Sequence, residues 1–192
     1  MRIRSDAAIA VVGKKKTGKT TWIKEHLKAI PPERLYILDY NQNDYQDLIP
    51  RIGRDHIWNY EGGGQNECED FLNIVYGLGN VFIVLEEGDN YLHHKTPAVT
   101  RYVTTIRNRG SGYFANFKRP MSVLPDFRGQ FDTIVIFQIT EPESIEYLEK
   151  WAGTGQGSLA HIRNLEQGQH VIVDLNPEPG KNPISPVQKL KL

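Results

Sequence analysis

The sequence predicts an α/β protein: three layers, with a mostly parallel central sheet and helices on both faces. Three observations predict it. Apolar runs bounded by turn residues alternate with helical periods, the pattern left by parallel strands and their crossover helices. Several runs are near-continuous in Val, Ile, Phe and Leu, as strands buried on both faces require. Finally, Gly13-Lys-Lys-Lys-Thr-Gly18-Lys19-Thr20 directly follows the run Ala7-Ala-Ile-Ala-Val-Val12. Strand, glycine-rich turn and helix, in that order, are the context of a phosphate-binding loop.

Taken in order, the predicted strands are Ala7–Val12, Arg34–Asp39, His56–Tyr60, Val81–Glu86, Gly112–Phe117, Thr133–Ile139 and His170–Leu175. The predicted helices are Thr20–Ile30, Asn66–Leu78, Pro97–Asn108 and Pro142–Trp151, with a further turn of helix near Leu159–Arg163. Pro31-Pro32 stops the first helix, and Glu61-Gly-Gly-Gly64 makes a flexible approach to the second. Residues 1–176 are read as one domain built around the glycine-rich loop. Residues 177–192, rich in proline and ending Lys189-Leu-Lys-Leu192, are read as an extended basic tail that docks on a neighbour or stays loose.

The motif G-x-x-x-x-G-K-T names a ligand class. A glycine turn lets successive backbone N–H groups converge on an anion, and the helix behind it adds its dipole and unpaired amides. Residues Gly13, Lys14, Lys15, Lys16, Thr17, Gly18, Lys19, Thr20 and Thr21 are therefore the expected cradle of a nucleoside triphosphate such as ATP. Lys19 would reach the β- and γ-phosphates, and the Thr20 hydroxyl would join the shell of a Mg²⁺ ion.

A second signature is Val81-Phe-Ile-Val-Leu-Glu86-Glu87, an apolar strand ending in paired acids. A strand beside the first can present one acid to the metal and a second to the attacking water. Glu86 is assigned to the metal and Glu87 to the water as general base. Successive strand residues face opposite ways, so both roles need the strand to end there and the backbone to turn; Gly88 would permit that. Asp89 is a weaker rival for either role, and Asp39 reads as an acid closing a strand at a turn.

Composition narrows the function classes. The formal net charge is zero across 192 residues, so no global basic field advertises nucleic acid. A polyanion would have to be gripped by local patches. Those available include Lys14-Lys15-Lys16, Arg101, Arg107 and Arg109, the segment Tyr91-Leu-His93-His94-Lys95, and Phe117-Lys118-Arg119. The lone cysteine, Cys68, can form no internal disulfide and fits a reducing compartment. No apolar stretch is long enough to span a bilayer and no signal-peptide pattern opens the chain. The expectation is a soluble protein in the cytoplasm of a cell or within a particle assembled there.

Further residues supply a resemblance. A helix closes with Arg107-Asn-Arg109-Gly110, and Tyr113–Phe117 leads into Lys118-Arg119-Pro120. Leu124-Pro125, Phe131-Asp132-Thr133-Ile134 and the acidic helix start Glu141-Pro-Glu-Ser-Ile145 follow, and Asn164-Leu-Glu-Gln-Gly168 turns into a last strand. In these motifs the chain resembles the FtsK–HerA superfamily of P-loop ATPases, with a RecA/FtsK-like sheet. It is most similar to the stripped motor domains that package genomes in icosahedral viruses with an internal membrane. The resemblance implies ATP hydrolysis with Mg²⁺, a homo-oligomeric ring (pentamer or hexamer) and double-stranded DNA as the object moved. It also implies a capsid vertex or membrane protein as a partner for the tail. By position, Lys118 stands where the family has a γ-phosphate-sensing Gln, with Gln138 an alternative. Arg109 or Arg107 would complete a neighbouring subunit's site. Two departures are evident: Glu86 replaces the usual Asp, and Lys118 replaces the Gln. Two other readings share the P-loop. One is a nucleotide-dependent assembly or secretion factor of the zonula-occludens-toxin type; the other is a small P-loop kinase, for which no arginine-rich lid is visible.

Overall fold

A computed structural model describes residues 3–59, 65–90, 92 and 95–190. Tyr60 and the glycine-rich approach at 61–64 lie outside the described residues, as do Tyr91, His93, His94 and the last two positions. In chain order the elements begin with β1 (Ala8–Val12), α1 (Lys19–Leu27), β2 (Leu35–Asp39), α2 (Ile49–Ile52) and β3 (Ile57–Asn59). They continue with α3 (Gln65–Leu78), β4 (Phe82–Leu85), α4 (Pro97–Thr105) and β5 (Gly112–Phe117). Last come α5 (Pro125–Arg128), β6 (Thr133–Ile136), α6 (Pro142–Ala152), β7 (Gln169–Asp174) and β8 (Gln188–Lys189). Helix α4 tightens into a 3₁₀ turn at Ile106–Arg109, and the weak turn of helix expected near residue 160 is a 3₁₀ segment, Ala160–Asn164.

The sheet runs β3-β2-β4-β5-β1-β6-β7-β8. Strands β3 to β6 pair in parallel, while β7 and β8 are antiparallel to their neighbours. The order corrects one expectation: the acid-bearing strand β4 is not beside β1, because β5 lies between them. The alternation of side chains across the strands divides the core in two. Ala8, Ala10, Val12, Ile83, Leu85, Tyr113, Ala115, Ile134 and Ile136 face the side covered by α3, α4 and α6. Ile9, Val11, Phe82, Val84, Phe114, Val135 and Phe137 face α1, which contributes Trp22, Ile23 and Leu27. Both faces are covered, so the central strands are largely apolar; the buried exceptions, Asp39 and Asn116, lie at or near strand ends.

The C-terminal segment does not stay loose. Val173 bridges Ile184, and Gln169 and His170 pair with Lys189 and Gln188. Ser185 donates its N–H to the Ile172 carbonyl at 2.8 Å, and its Oγ accepts from the Ile172 N–H at 2.9 Å. The Leu190 N–H then reaches the Gly168 carbonyl at 3.0 Å. An antiparallel edge with unused N–H and C=O groups was available, and the tail fills it.

Candidate nucleotide site

The cleft opens where β1, β4 and β5 end. Past Val12 the chain turns at Gly13 with φ 152°. A Cβ there would sit 2.7 Å from that of Phe137, so the loop leaves the sheet through a gap that only glycine fits. Gly13 N–H donates to the Phe117 carbonyl at 3.2 Å and Lys14 N–H to that of Gln138 at 3.0 Å, anchoring the loop to the ends of β5 and β6. Thr17 Oγ1 donates to the Lys14 carbonyl at 2.8 Å. Gly18 caps α1 with φ 110°. Lys19 folds under the loop and its Nζ donates to the carbonyls of Gly13 and Lys14, at 2.7 and 2.8 Å. Burial pushes its pKa down, and the nearby carboxylates of Glu86 and Glu87 oppose that.

Across the cleft, β4 ends at Leu85 and presents Glu86, 2% exposed. Its carboxylate accepts from the Tyr45 hydroxyl at 2.7 Å, from the Asn116 side-chain amide and from Thr20 Oγ1 at 3.4 Å. Burial raises its pKa to about 7; the Tyr45 hydrogen bond resists the rise. Glu87 takes the left-handed conformation, φ 54°. The turn expected from Gly88 is therefore made one residue earlier. Gly88 is needed for space instead: a Cβ there would lie 2.8 Å from the Phe117 ring. By this turn Glu86 and Glu87 both face the cleft, despite being neighbours in the chain. Lys118 Nζ forms an ion pair with Glu87 Oε2, and Asn41 Nδ2 lies 3.4 Å from its other oxygen. Asp89 joins the two strand exits, accepting the N–H groups of Lys118 at 2.7 Å and Arg119 at 3.0 Å.

The resulting cleft has a volume of about 360 Å³. Glu86, Glu87, Lys118, Asn41 and Asn116 line it from the strand ends, and the phosphate loop, Thr20, Thr21 and Gln167 line it from the loop, helix α1 and the turn before β7.

Scanned against family models and curated proteins, the sequence matches none. Solved structures do match. The genome-packaging NTPase B204 of Sulfolobus turreted icosahedral virus 2, in complex with AMP, superposes with a TM-score of 0.79. The two share 21% sequence identity, over 99% of this chain and 100% of that one. Its complex with ATP-gammaS gives 0.78 at the same identity and coverage. This chain has the P-loop NTPase fold of B204. Part of EssC from Geobacillus thermodenitrificans is also similar, with a TM-score of 0.61 at 13% identity over 88% of this chain and 38% of that one.

Within this B204-like fold, the residues expected from the sequence fall into two groups. The phosphate loop, Glu86, Glu87 and Lys118 converge on one cleft. Gln138 is turned away, its side-chain amide donating to the Arg163 carbonyl at 3.2 Å. Arg107 and Arg109 precede β5, so that strand's six residues, about 20 Å of extended chain, separate them from the cleft. Arg107 pairs with Asp132 at 3.0 Å, and Asp132 also accepts the Ala8 N–H at 3.0 Å. Arg109 lies over the Tyr76 ring at 4.9 Å, with its Nη2 on the Gly77 carbonyl at 3.2 Å.

Sequence reasoning missed Tyr45 and Asn116, which hold Glu86. Asn116 carried a signal: it is a single amide inside the otherwise apolar run Tyr113–Phe117, and a buried polar side chain needs a partner. Tyr45 carried none. It reaches Glu86 from beneath the cleft, on a loop that Asp39, ending β2, helps fix by accepting the Tyr45 N–H at 3.2 Å. Cys68 is buried and its thiol is pushed up to about 12, consistent with a structural residue.

Proposed function

We propose that the chain is an ATP-driven motor subunit that moves double-stranded DNA, packaging a viral genome into a preformed capsid as part of a homo-oligomeric ring. The observation that carries this reading is the meeting of the phosphate loop with two carboxylates of different surroundings. Thr20 Oγ1 and Glu86 Oε1 are 3.4 Å apart, and Glu87 stands next to them. The fold shared with a packaging NTPase over the whole chain supports the packaging role.

The chemistry follows from the positions. Loop amides and Lys19 would bind the β- and γ-phosphates and offset their charge. Thr20 and Glu86 fit a Mg²⁺ ion, a hard cation that takes one or two protein oxygens and completes its shell with phosphate and water. Among the described residues no cluster of three or more His, Cys, Asp or Glu competes as a metal site. Bound there, the ion would neutralise phosphate charge. Water attacks the γ-phosphorus and the bond to the β–γ bridging oxygen breaks. ADP and inorganic phosphate form, and Glu87 accepts the water's proton. Lys118, paired with Glu87, is within the cleft to meet the γ-phosphate. Of the two arginines, Arg109 suits a neighbour's site better, since Arg107 is committed to Asp132.

Phosphate release measured with and without duplex DNA tests the reading. Turnover should rise with DNA and disappear in Lys19→Ala. Glu87→Gln should retain ATP binding and lose hydrolysis; a native rate in that variant removes Glu87 as the base. Transfer of phosphate to an added acceptor in place of water would favour the kinase reading.

A further inference from the structure

The cleft has a chemical direction. Glu86, Glu87, Asn116 and Lys118 crowd one pole, where the terminal phosphate and its metal belong. The helix amides from Gly18 to Thr21 follow along the floor. A nucleotide lying on that floor must send its ribose and base out at the opposite pole, past Thr21. Asn41 and Asp44 belong with the acids, Asn41 lying 3.4 Å from Glu87 and 2.7 Å from Asp44; apart from them, the phosphate loop and helix α1, the remaining lining residue is Gln167, in the turn before β7.

That turn is bound to the phosphate loop and to the C-terminal segment at once. Gly168 N–H donates to the Thr17 carbonyl at 2.9 Å, and the Gly168 carbonyl accepts from the Leu190 N–H at 3.0 Å. The Leu190 side chain crosses the outer flank of the loop: a Cβ on Gly18 would be 3.2 Å from Leu190 Cδ1, and one on Gly168 3.7 Å from Leu190 Cβ. Leu190 is half-buried, so it still offers an apolar surface beside the exposed Gln167. Strand β8 keeps it there, with Lys189 near Glu166 at 3.6 Å.

From this arrangement we infer that Gln167 and Leu190 form the shelf that receives the nucleoside, so the C-terminal strand is part of the nucleotide site. An apolar side chain offers a face for a flat base, and a primary amide offers one donor and one acceptor to its edge. The inference rests on the ATPase reading and names the group that reads the nucleoside, which the phosphate motif leaves open.

A comparison of ligands with and without a nucleoside tests it. Calorimetry would measure Mg-ATP and Mg-tripolyphosphate binding to the full chain and to Gln167→Ala and Leu190→Ala. Each variant should weaken Mg-ATP by about three- to tenfold, the loss of one modest contact, and leave tripolyphosphate unchanged. Leu190→Met should restore most of the ATP affinity. Equal weakening of both ligands would make Leu190 a mere support for the phosphate loop and overturn the shelf, as would unchanged ATP affinity. A native chain that binds neither ligand would fail at the earlier step, the ATPase reading itself. Gln167 is exposed, so its variant keeps the test open even if Leu190→Ala unfolds.

Discussion

Glu86 shows what the cleft costs the protein. Burial raises its pKa from about 4.5 to about 7, so the folded state holds a proton that the unfolded chain has already lost. Stability is therefore unaffected below pH 4.5, falls as pH rises from there to 7, and is flat above. A shift of this size corresponds to roughly 3 kcal/mol, at about 1.4 kcal/mol per unit. Glu86→Gln, with similar shape and a neutral amide, should be more stable than the native chain at pH 8 in EDTA, by up to that amount. The gain should vanish near pH 4, as followed by urea unfolding across pH. The same variant should lose metal-dependent turnover, because stability and function oppose each other at this residue. Cys68 gives a simpler expectation. With its thiol buried and pushed up to about 12, it should resist alkylation at pH 8 in native buffer and react promptly in urea.

At the scale of elements, the exit of β4 decides whether two neighbouring acids can share a cleft. Its left-handed Glu87 and the contact of Gly88 with Phe117 act together. Gly88→Ala should push the Phe117 ring or the strand exit aside and destabilise the fold by about 1–3 kcal/mol, the usual range for overpacking. Urea unfolding would give that figure, and ATP turnover should fall with it. Much at this scale was legible from the sequence. Strand β5 was placed to the residue, because a glycine opens it and a lysine closes an apolar run. Strand β6 stops at Ile136, three residues short of expectation, because Phe137 and Gln138 turn with the phosphate loop they support. The order of the strands was not legible: local alternation states that a strand is buried and says nothing of its neighbours. For that reason β5 was not foreseen between β1 and β4, nor Asn116 as the bridge to Glu86. Tail residues 183–190 read as an extended segment, docked on a neighbour or loose, because prolines interrupt them; an edge strand needs only one face of hydrogen bonds and tolerates such interruptions.

For the whole molecule, zero net charge sets the terms on which it could hold DNA. Long-range attraction is weak, so in the proposed motor the grip would come from a few exposed cations. Arg119 is the clearest of these: it is exposed, and its backbone is fixed by Asp89 next to the Glu87–Lys118 pair. A change at the γ-phosphate would move that segment first, which would couple hydrolysis to the grip. Lys95, by contrast, is paired with Asp126. If each subunit makes two or three phosphate contacts, the duplex affinity of a single subunit should fall by roughly ten- to fortyfold between 50 and 200 mM salt, and that of a ring more steeply. Arg119→Ala should flatten that dependence by about one phosphate contact and reduce DNA-stimulated turnover, while turnover without DNA stays near the native rate. Fluorescence anisotropy with labelled duplex, run beside a phosphate-release assay at each salt concentration, measures both quantities. If the slope is unchanged in the variant, Arg119 does not touch DNA, and coupling through the Asp89-anchored strand exit is excluded.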